Sequence, residues 1–521
     1  MATVRRDRRA LLRTPALAGV LAVALLFLAQ GPAAHAANIT VNTTDDELNA
    51  DGDCSLREAI QAANTDAVVD ACAAGSGADT IDVPAGTYTL AIAGSGEDAS
   101  ATGDLDISAD LTITGAGAAT TIIDGADLDR VFHILGGIAD MSGLTIQNGS
   151  VSADGGGILN QGTLTLNSST VSGNSAGGPG FGGTGGGIVN AGTLSLNSST
   201  VSGNTASGQG GGIVNYSIAG TVALTNSTVS GNTADDSGGG ILNYITAGTV
   251  TLINVTVSGN SGGFGGGGIR NSGFGTLTLT NSTVSGNSAA TGGGVAGGTL
   301  AGGSTLKNTI VANNTGGDCS SIITSADHNL DSDNTCNLTA PGDIPGVDPM
   351  LGPLANNGGP TQTHALLTGS PAVDAGLPDT DPDCSGGDDF DQRGVARPLD
   401  GDGDGTPVCD IGAFEVETPP PACAGVVATI TGTAGPDLLI GTSGSDIIVG
   451  LAGNDLIFAF GGNDLICADE GNDVIIAGGG NDIILAGPGD DVMAGGSGFD
   501  GCIGGAGTDT AVACEVTFGV P

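Results

Sequence analysis

Short runs of alternating apolar and polar residues recur along this chain, and turns rich in glycine and asparagine separate them. GTLTLN (162–167), GTLSLN (192–197) and GTLTLTN (275–281) alternate Leu with Thr, Ser or Asn, which is the period of a strand with one buried face. Gly-Gly-Gly followed by an aliphatic residue begins at Gly155, Gly185, Gly210, Gly238, Gly266 and Gly292, at spacings of 30, 25, 28, 28 and 26 residues. A second signature, SSTVSGN at 168–174, returns in near copies at 198–204, 226–232, 254–260 and 281–287, and in degenerate form as NTIVANN at 308–314. Each unit offers about three short strands and cannot bury its apolar face alone. Stacking the units does so, and a period of this length means a solenoid. The expected fold class is all-β: a right-handed parallel β-helix with one unit per coil.

In such a stack Asn160, Asn190, Asn215, Asn243 and Asn271 fall in one row, and Asn174, Asn204, Asn232, Asn260 and Asn287 in another. Stacked amides hydrogen-bond along the axis, so both rows read as structural ladders. TIDVPAGTYTL (80–90), LTITGAGAATTIIDG (111–125) and VFHIL (131–135) read as less regular coils of the same solenoid. The open end of the stack needs a cap. CSLREAIQAAN (54–64) predicts a short N-terminal capping helix, with Ser55 and Glu58 as a capping box and Leu56, Ala59, Ile60 and Ala63 on one apolar face.

Beyond the proline-rich ETPPPAC (417–423) the period changes to nine. Nine nonapeptides run without a gap from Gly432 to Val512. Each has an Asp at its sixth position: Asp437, Asp446, Asp455, Asp464, Asp473, Asp482, Asp491, Asp500 and Asp509. Two nonapeptides make one coil of a parallel β-roll, so the aspartates form two columns at the strand spacing of about 4.8 Å. Neighbouring unit charges at that distance repel by roughly 0.9 kcal/mol in water, and by more in a less polar turn. Calcium removes this repulsion because it accepts six to eight oxygens. The expected cofactor is Ca2+, with these nine aspartates as ligands and a roll that folds when the metal binds. The pattern resembles the calcium-binding nonapeptide of RTX proteins. DGDGDGT (400–406) places Asp400, Asp402 and Asp404 like the start of an EF-hand loop, but position twelve is Ile411. A calcium loop of another kind and a solvated turn both remain open there. DDELNADGD (45–53) is a weaker acidic cluster.

The first residues read as a targeting segment. Arg5, Arg6, Arg8, Arg9 and Arg13 precede an apolar run from Ala16 to Ala29 and a small-x-small site, Ala34-His35-Ala36. No second apolar run reaches membrane-spanning length, so no transmembrane span is expected. The formal net charge is −44, and removal of 1–36 leaves 6 basic against 54 acidic residues, a net −48. Such a surface repels nucleic acid and attracts divalent cations. Ten cysteines in an exported chain read as disulfides in local pairs: Cys54 with Cys72, Cys319 with Cys336, Cys384 with Cys409, Cys423 with Cys467, and Cys502 with Cys514.

CSLREAI resembles the start of the CSLREA-domain proteins, exported chains in which this module precedes a β-helix. NNGGPTQTHALLTGSPAVDAG (356–376), DQRGVARP (391–398) and CDIGAFE (409–415) are similar to the choice-of-anchor Q region of the same group. The resemblance implies architecture more than activity. It divides the chain into a signal peptide (1–36), a CSLREA cap (37–79), a β-helix (80–345), an anchor-like region (346–416), a linker (417–423), an RTX-like roll (424–514) and a tail (515–521).

A β-helix enzyme acting on polysaccharides needs clustered acid–base groups, and the repeats offer few. Between Gly137 and Leu354 the basic residues are Arg270 and Lys307, and between Gly155 and Gly317 the acids are Asp235 and Asp236. His133 and His328 stand in no motif and read as structural. The sequence therefore favours an exported, non-enzymatic, extracellular or cell-surface protein in adhesion to a surface, glycan or protein ligand. A carbohydrate-active lyase or hydrolase is the alternative.

Overall fold

The computed structural model describes residues 36–178, 182–217, 220–244, 248–297, 303–320, 323–378, 380–385, 390–402, 406–417 and 422–519. The expected signal peptide lies outside the described residues. The chain packs as two units, residues 1–399 with 408–416 and residues 400–407 with 417–521.

The first unit is a parallel β-helix. One eleven-stranded sheet runs from Asn38–Thr40 through the T-L-T-L-N strands to Ile323–Ser325. A second sheet of eleven runs from Gly86–Thr89 through the T-V-S strands to Ile344–Pro345. A nine-stranded sheet carries the strands that follow each triple glycine, and a five-stranded sheet fills the turn after each SGN. Register follows the repeat residue for residue, as in Leu164 opposite Leu194 and Leu166 opposite Leu196. These leucines, with Val171, Val201, Ile158 and Ile188, are almost completely buried inside the coils.

Both asparagine rows form buried ladders. Asn174 donates to Asn204, Asn204 to Asn232, Asn232 to Asn260, and Asn260 to Asn287, each at 2.9 Å. The same Oδ1 atoms accept the backbone N–H of the preceding rung. The row ends on Asp318, which accepts from Asn314 at 3.0 Å.

The helix Leu56–Thr65 caps the open end. Ser55 accepts from the Glu58 N–H, and Glu58 accepts from the Ser55 N–H at 3.0 Å, so the capping box is complete. The cap is pinned by the Cys54–Cys72 disulfide. Arg57 is buried, pairs with Asp46 at 2.6 Å, and donates to the carbonyls of Ser100, Gly103 and Asp104.

Residues of 346–416 in this unit lie against the outward side of the T-V-S sheet. Gln392 donates to Thr228 and accepts from Thr256, and His364 contacts Ser258 at 2.8 Å. Asn308 donates to the Asp410 carbonyl, and Thr283 accepts from the Ala413 N–H. Thr228, Thr256 and Thr283 are thereby buried, whereas the equivalent Thr170 and Thr200 are half-buried.

The second unit is a β-roll of two parallel sheets. Six strands run from Ile430–Thr431 to Val516–Phe518, and five from Leu438–Ile440 to Thr510–Val512. Within the segment expected to be a tail, Val516–Phe518 supplies a further rung, paired to Gly501–Ile503. Its β-pattern, Val-Thr-Phe, is too short to register as a strand without the neighbour that pairs it. All five disulfides are present and no cysteine is free. Among the described residues, no helix is long and apolar enough to cross a membrane.

Asn232→Ala removes the acceptor for both the backbone and side-chain donors of Asn204, and the expected cost is on the order of 3 kcal/mol. Asn197→Ala, which breaks an exposed amide pair with Asn167, is expected to cost no more than about 0.5 kcal/mol. Denaturant melts of the two variants, followed by circular dichroism, check this ordering.

Candidate metal centre

Each nonapeptide spends six residues on a turn and three on a strand, whose middle residue points inward. Leu439, Ile448, Ile457, Ile466, Ile475, Ile484 and Met493 are all buried in one core. The turns stack closely. Gly471 has φ +148°, and a Cβ there would lie 1.5 Å from the Gly453 carbonyl oxygen, so only glycine fits.

This stacking sets the aspartates in two columns. The Asp437 N–H donates to Asp455 Oδ1 at 2.8 Å, Asp455 to Asp473 and Asp473 to Asp491 at 2.8 Å, and Asp491 to Asp509 at 3.1 Å. The other column runs Asp446, Asp464, Asp482 and Asp500 at 2.8–2.9 Å. Glu515 closes it by accepting the Asp500 N–H at 2.7 Å. One oxygen of each carboxylate from Asp455 onward is thus committed to the backbone of the preceding turn in its column.

The other oxygen is not. Oδ2 of Asp455, Asp464, Asp473, Asp482, Asp491, Asp500 and Asp509 is buried without a hydrogen-bond partner. A buried acceptor with no donor is costly, and a buried carboxylate more so. Burial raises the pKa of Asp455, Asp464, Asp482 and Asp491, with nearby carboxylates adding to the rise. Asp473 is pushed up to about 6, first by burial and then by Asp491, Asp455 and Asp469. Acceptor-only oxygens stripped of donors are what a hard cation takes, and these side chains fit Ca2+.

Asp437 and Asp446 differ. Their Oδ2 atoms accept from the backbone N–H and hydroxyl of Thr433 and Thr442 respectively. Threonine stands at the second nonapeptide position in these first two units alone, a signal the sequence carries. In the next three units that position is Leu451, Phe460 and Asp469, each with positive φ. Glu515 is the other contributor that repeat counting misses, because it lies fifteen residues after Asp500 rather than eighteen.

Of the second acidic cluster, Asp400 and Asp402 are described and Asp404 lies outside the described residues. In the 45–53 segment, Glu47, Asp51 and Asp53 bring carboxylate oxygens within 4.8 Å of one another. Asp235 is exposed, while Asp236 accepts from Gln209 and Ser237. His133, which stands in no motif and reads as structural in the sequence, lies 3.4 Å from Asp106 and 3.7 Å from Asp98. Those acids precede the repeats, outside the stretch where the sequence shows its periodicity.

Two columns of buried, donor-less carboxylates on a parallel roll define a class: a β-solenoid built to bind divalent cations. The family model for the RTX calcium-binding nonapeptide repeat matches four times, at residues 429–455, 440–475, 468–502 and 476–511. The chain is a calcium-binding β-solenoid protein that carries RTX repeats. No curated protein matches it in sequence. Among solved structures it is similar to pectate lyase Pel9A, at 14% identity and a TM-score of 0.38, covering 74% of this chain and 98% of that one. It is also similar to a mutant of the PL6 family alginate lyase AlyGC, at 10% identity and a TM-score of 0.20, covering 85% of this chain and 76% of that one. At these scores neither likeness carries an argument about activity.

Calcium titration of the full chain is expected to show fewer bound ions in Asp482→Asn, whose Oδ2 has no other partner. Asp446→Asn is expected to leave the count unchanged, because Thr442 already serves that oxygen. The raised pKa of Asp473 also fixes a sign. In excess chelator, protonation stabilises the folded roll below about pH 4, and that contribution is lost as pH rises through about 6. Calorimetry in chelator is expected to show the roll melting at lower temperature at pH 7.5 than at pH 5. With calcium the slope reverses, because the metal competes with protons for the same oxygens.

Proposed function

We propose that this protein is an exported, non-enzymatic calcium-binding solenoid of the CSLREA and choice-of-anchor Q type, working at the cell surface or in the extracellular matrix. The observation that carries this reading is the row of seven buried Oδ2 atoms without donors. A roll with that many unneutralised oxygens stays loose where calcium is scarce and winds where it is plentiful, outside the cell. Five disulfides support an oxidising destination. The leading basic and apolar segment supports export. The net charge of −44 speaks against nucleic acid as a partner.

The β-helix supplies the contact surface. A groove of about 370 Å³ is lined by Asp154, Gln209, Val214, Tyr216, Leu242 and Tyr244, among others. Tyr216 and Tyr244 stack with ring centroids 5.4 Å apart, and Tyr216 is exposed. Aromatic faces beside amide and carboxylate groups suit a glycan ligand. The same groove favours the second reading, a carbohydrate-active enzyme whose acids would be Asp236, which lines the groove, and the adjacent Asp235. Against it, both oxygens of Asp236 already accept hydrogen bonds from Gln209 and Ser237.

Cell fractionation is expected to find the protein on the surface or in the medium, and a chelator is expected to make its C-terminal segment protease-sensitive. Recovery in the cytoplasm with reduced thiols would sink the proposal. Polysaccharide cleavage that disappears in Asp235→Asn and Asp236→Asn would replace it with the enzyme reading.

A further inference from the structure

The nine-stranded sheet of the β-helix starts with Leu105–Ile107 and Phe132–Ile134, and their register sets Asp106 beside His133. From these adjacent rungs, Asp106 Oδ1 approaches His133 Nδ1 to 3.4 Å. Asp98 comes in from the preceding loop, with Oδ1 3.7 Å from the same nitrogen. The three ligand atoms lie within 4.8 Å of one another.

No hydrogen bond accounts for this convergence. Asp106 is fully buried. Its Oδ2 accepts the Ser100 N–H at 2.8 Å, while its Oδ1 has no partner. His133 is buried as well, and its Nε2 has no partner. A separation of 3.4 Å is longer than an ordinary N–H···O bond. With the proton on Nε2, the Nδ1 lone pair faces two carboxylate oxygens. With the proton on Nδ1, or with both nitrogens protonated, Nε2 is left buried without a partner and the contacts to both carboxylates remain long. A cation between the three atoms resolves the repulsion. Ligands at about 2.1 Å from a tetrahedral ion stand about 3.4 Å apart, and the His133 separations of 3.4 Å and 3.7 Å lie at or just above that spacing.

The surroundings favour positive charge. Asp104 and Asp129 are buried nearby, and the neighbouring Arg130 is engaged by Asp104 at 2.8 Å. The capping helix holds the loop in place. Arg57 binds the carbonyls of Ser100, Gly103 and Asp104, Gln61 binds that of Ser100, and Asn64 binds that of Asp106 at 2.7 Å. Ser100 also receives and returns backbone hydrogen bonds with Asp106. The side chain of Asp98 is 69% exposed, so an ion can enter from its side.

We propose that Asp98, Asp106 and His133 form a second metal site, separate from the roll, that takes a divalent first-row transition ion. The imidazole ligand sets its chemistry apart from the all-oxygen calcium columns. Water fills the remaining coordination positions on the exposed side.

The test uses the full-length protein with its roll saturated by calcium, and zinc as the probe. Zinc titration calorimetry, with metal analysis after dialysis, is expected to give one tightly held equivalent. Asp98→Asn and His133→Asn are each expected to weaken zinc at least about tenfold while leaving calcium stoichiometry unchanged. Cobalt(II) is expected to give a visible absorption band that His133→Asn abolishes. Because Asp98 is exposed, Asp98→Asn keeps the test decisive if the His133 variant fails to fold. Retention of no zinc beside saturating calcium, or unchanged zinc affinity in Asp98→Asn, would overturn the proposal.

Discussion

In-register stacking of coils is the constraint on which the rest of this molecule depends. A residue repeated once per coil meets its own copies above and below, so its chemistry is multiplied along the axis. Asparagine offers both a donor and an acceptor, and the buried rows through Asn174 and Asn160 close on themselves rung by rung. Aspartate offers acceptors alone. From Asp455 onward its columns use one oxygen per rung on the preceding backbone N–H and leave the other bare. The same geometry yields a self-sufficient ladder in the β-helix and a ladder with unpaired oxygens in the roll. The side-chain amide against the carboxylate makes the difference.

A stack also has ends and sides, and the chain closes them in different ways. The helix Leu56–Thr65 covers the first coils and fixes the loop that carries Ser100 through Arg57. Gln362, Gln392 and Ala413 reach the outward T-V-S row and bury its later threonines. In the roll, Thr433 and Thr442 occupy the first carboxylates of the two columns, and Glu515 finishes one of them. At these margins the repeat departs from its own pattern because a terminal rung lacks a neighbour.

Whatever repeats was legible in the sequence. The strand alternation of 162–167, the two asparagine rows and the sixth-position aspartates all appear where their spacing puts them, and the capping box at Ser55 was readable from four residues. The five disulfides join the pairs that proximity in sequence suggested. What arises once leaves no period to detect. Asp106 and His133 sit in irregular coils and meet through strand register, and Asp98 joins them from a loop. Gln392 finds Thr228 across 164 residues. The strand Val516–Phe518 is too short to stand out until it pairs with Gly501–Ile503.

The Cys423–Cys467 bridge has a mechanical meaning. It spans 44 residues and joins the end of the proline-rich linker to a strand in the interior of the roll. Tension transmitted along that linker therefore passes through a covalent bond directly to residue 467. The intervening loop, 424–466, is taken out of the path of the force. It includes the two threonine-sealed turns together with Asp455 and Asp464, and the pull is delivered to the coils from Asp473 onward. The first coils of the roll can then open without lengthening the covalent path between the linker and residue 467.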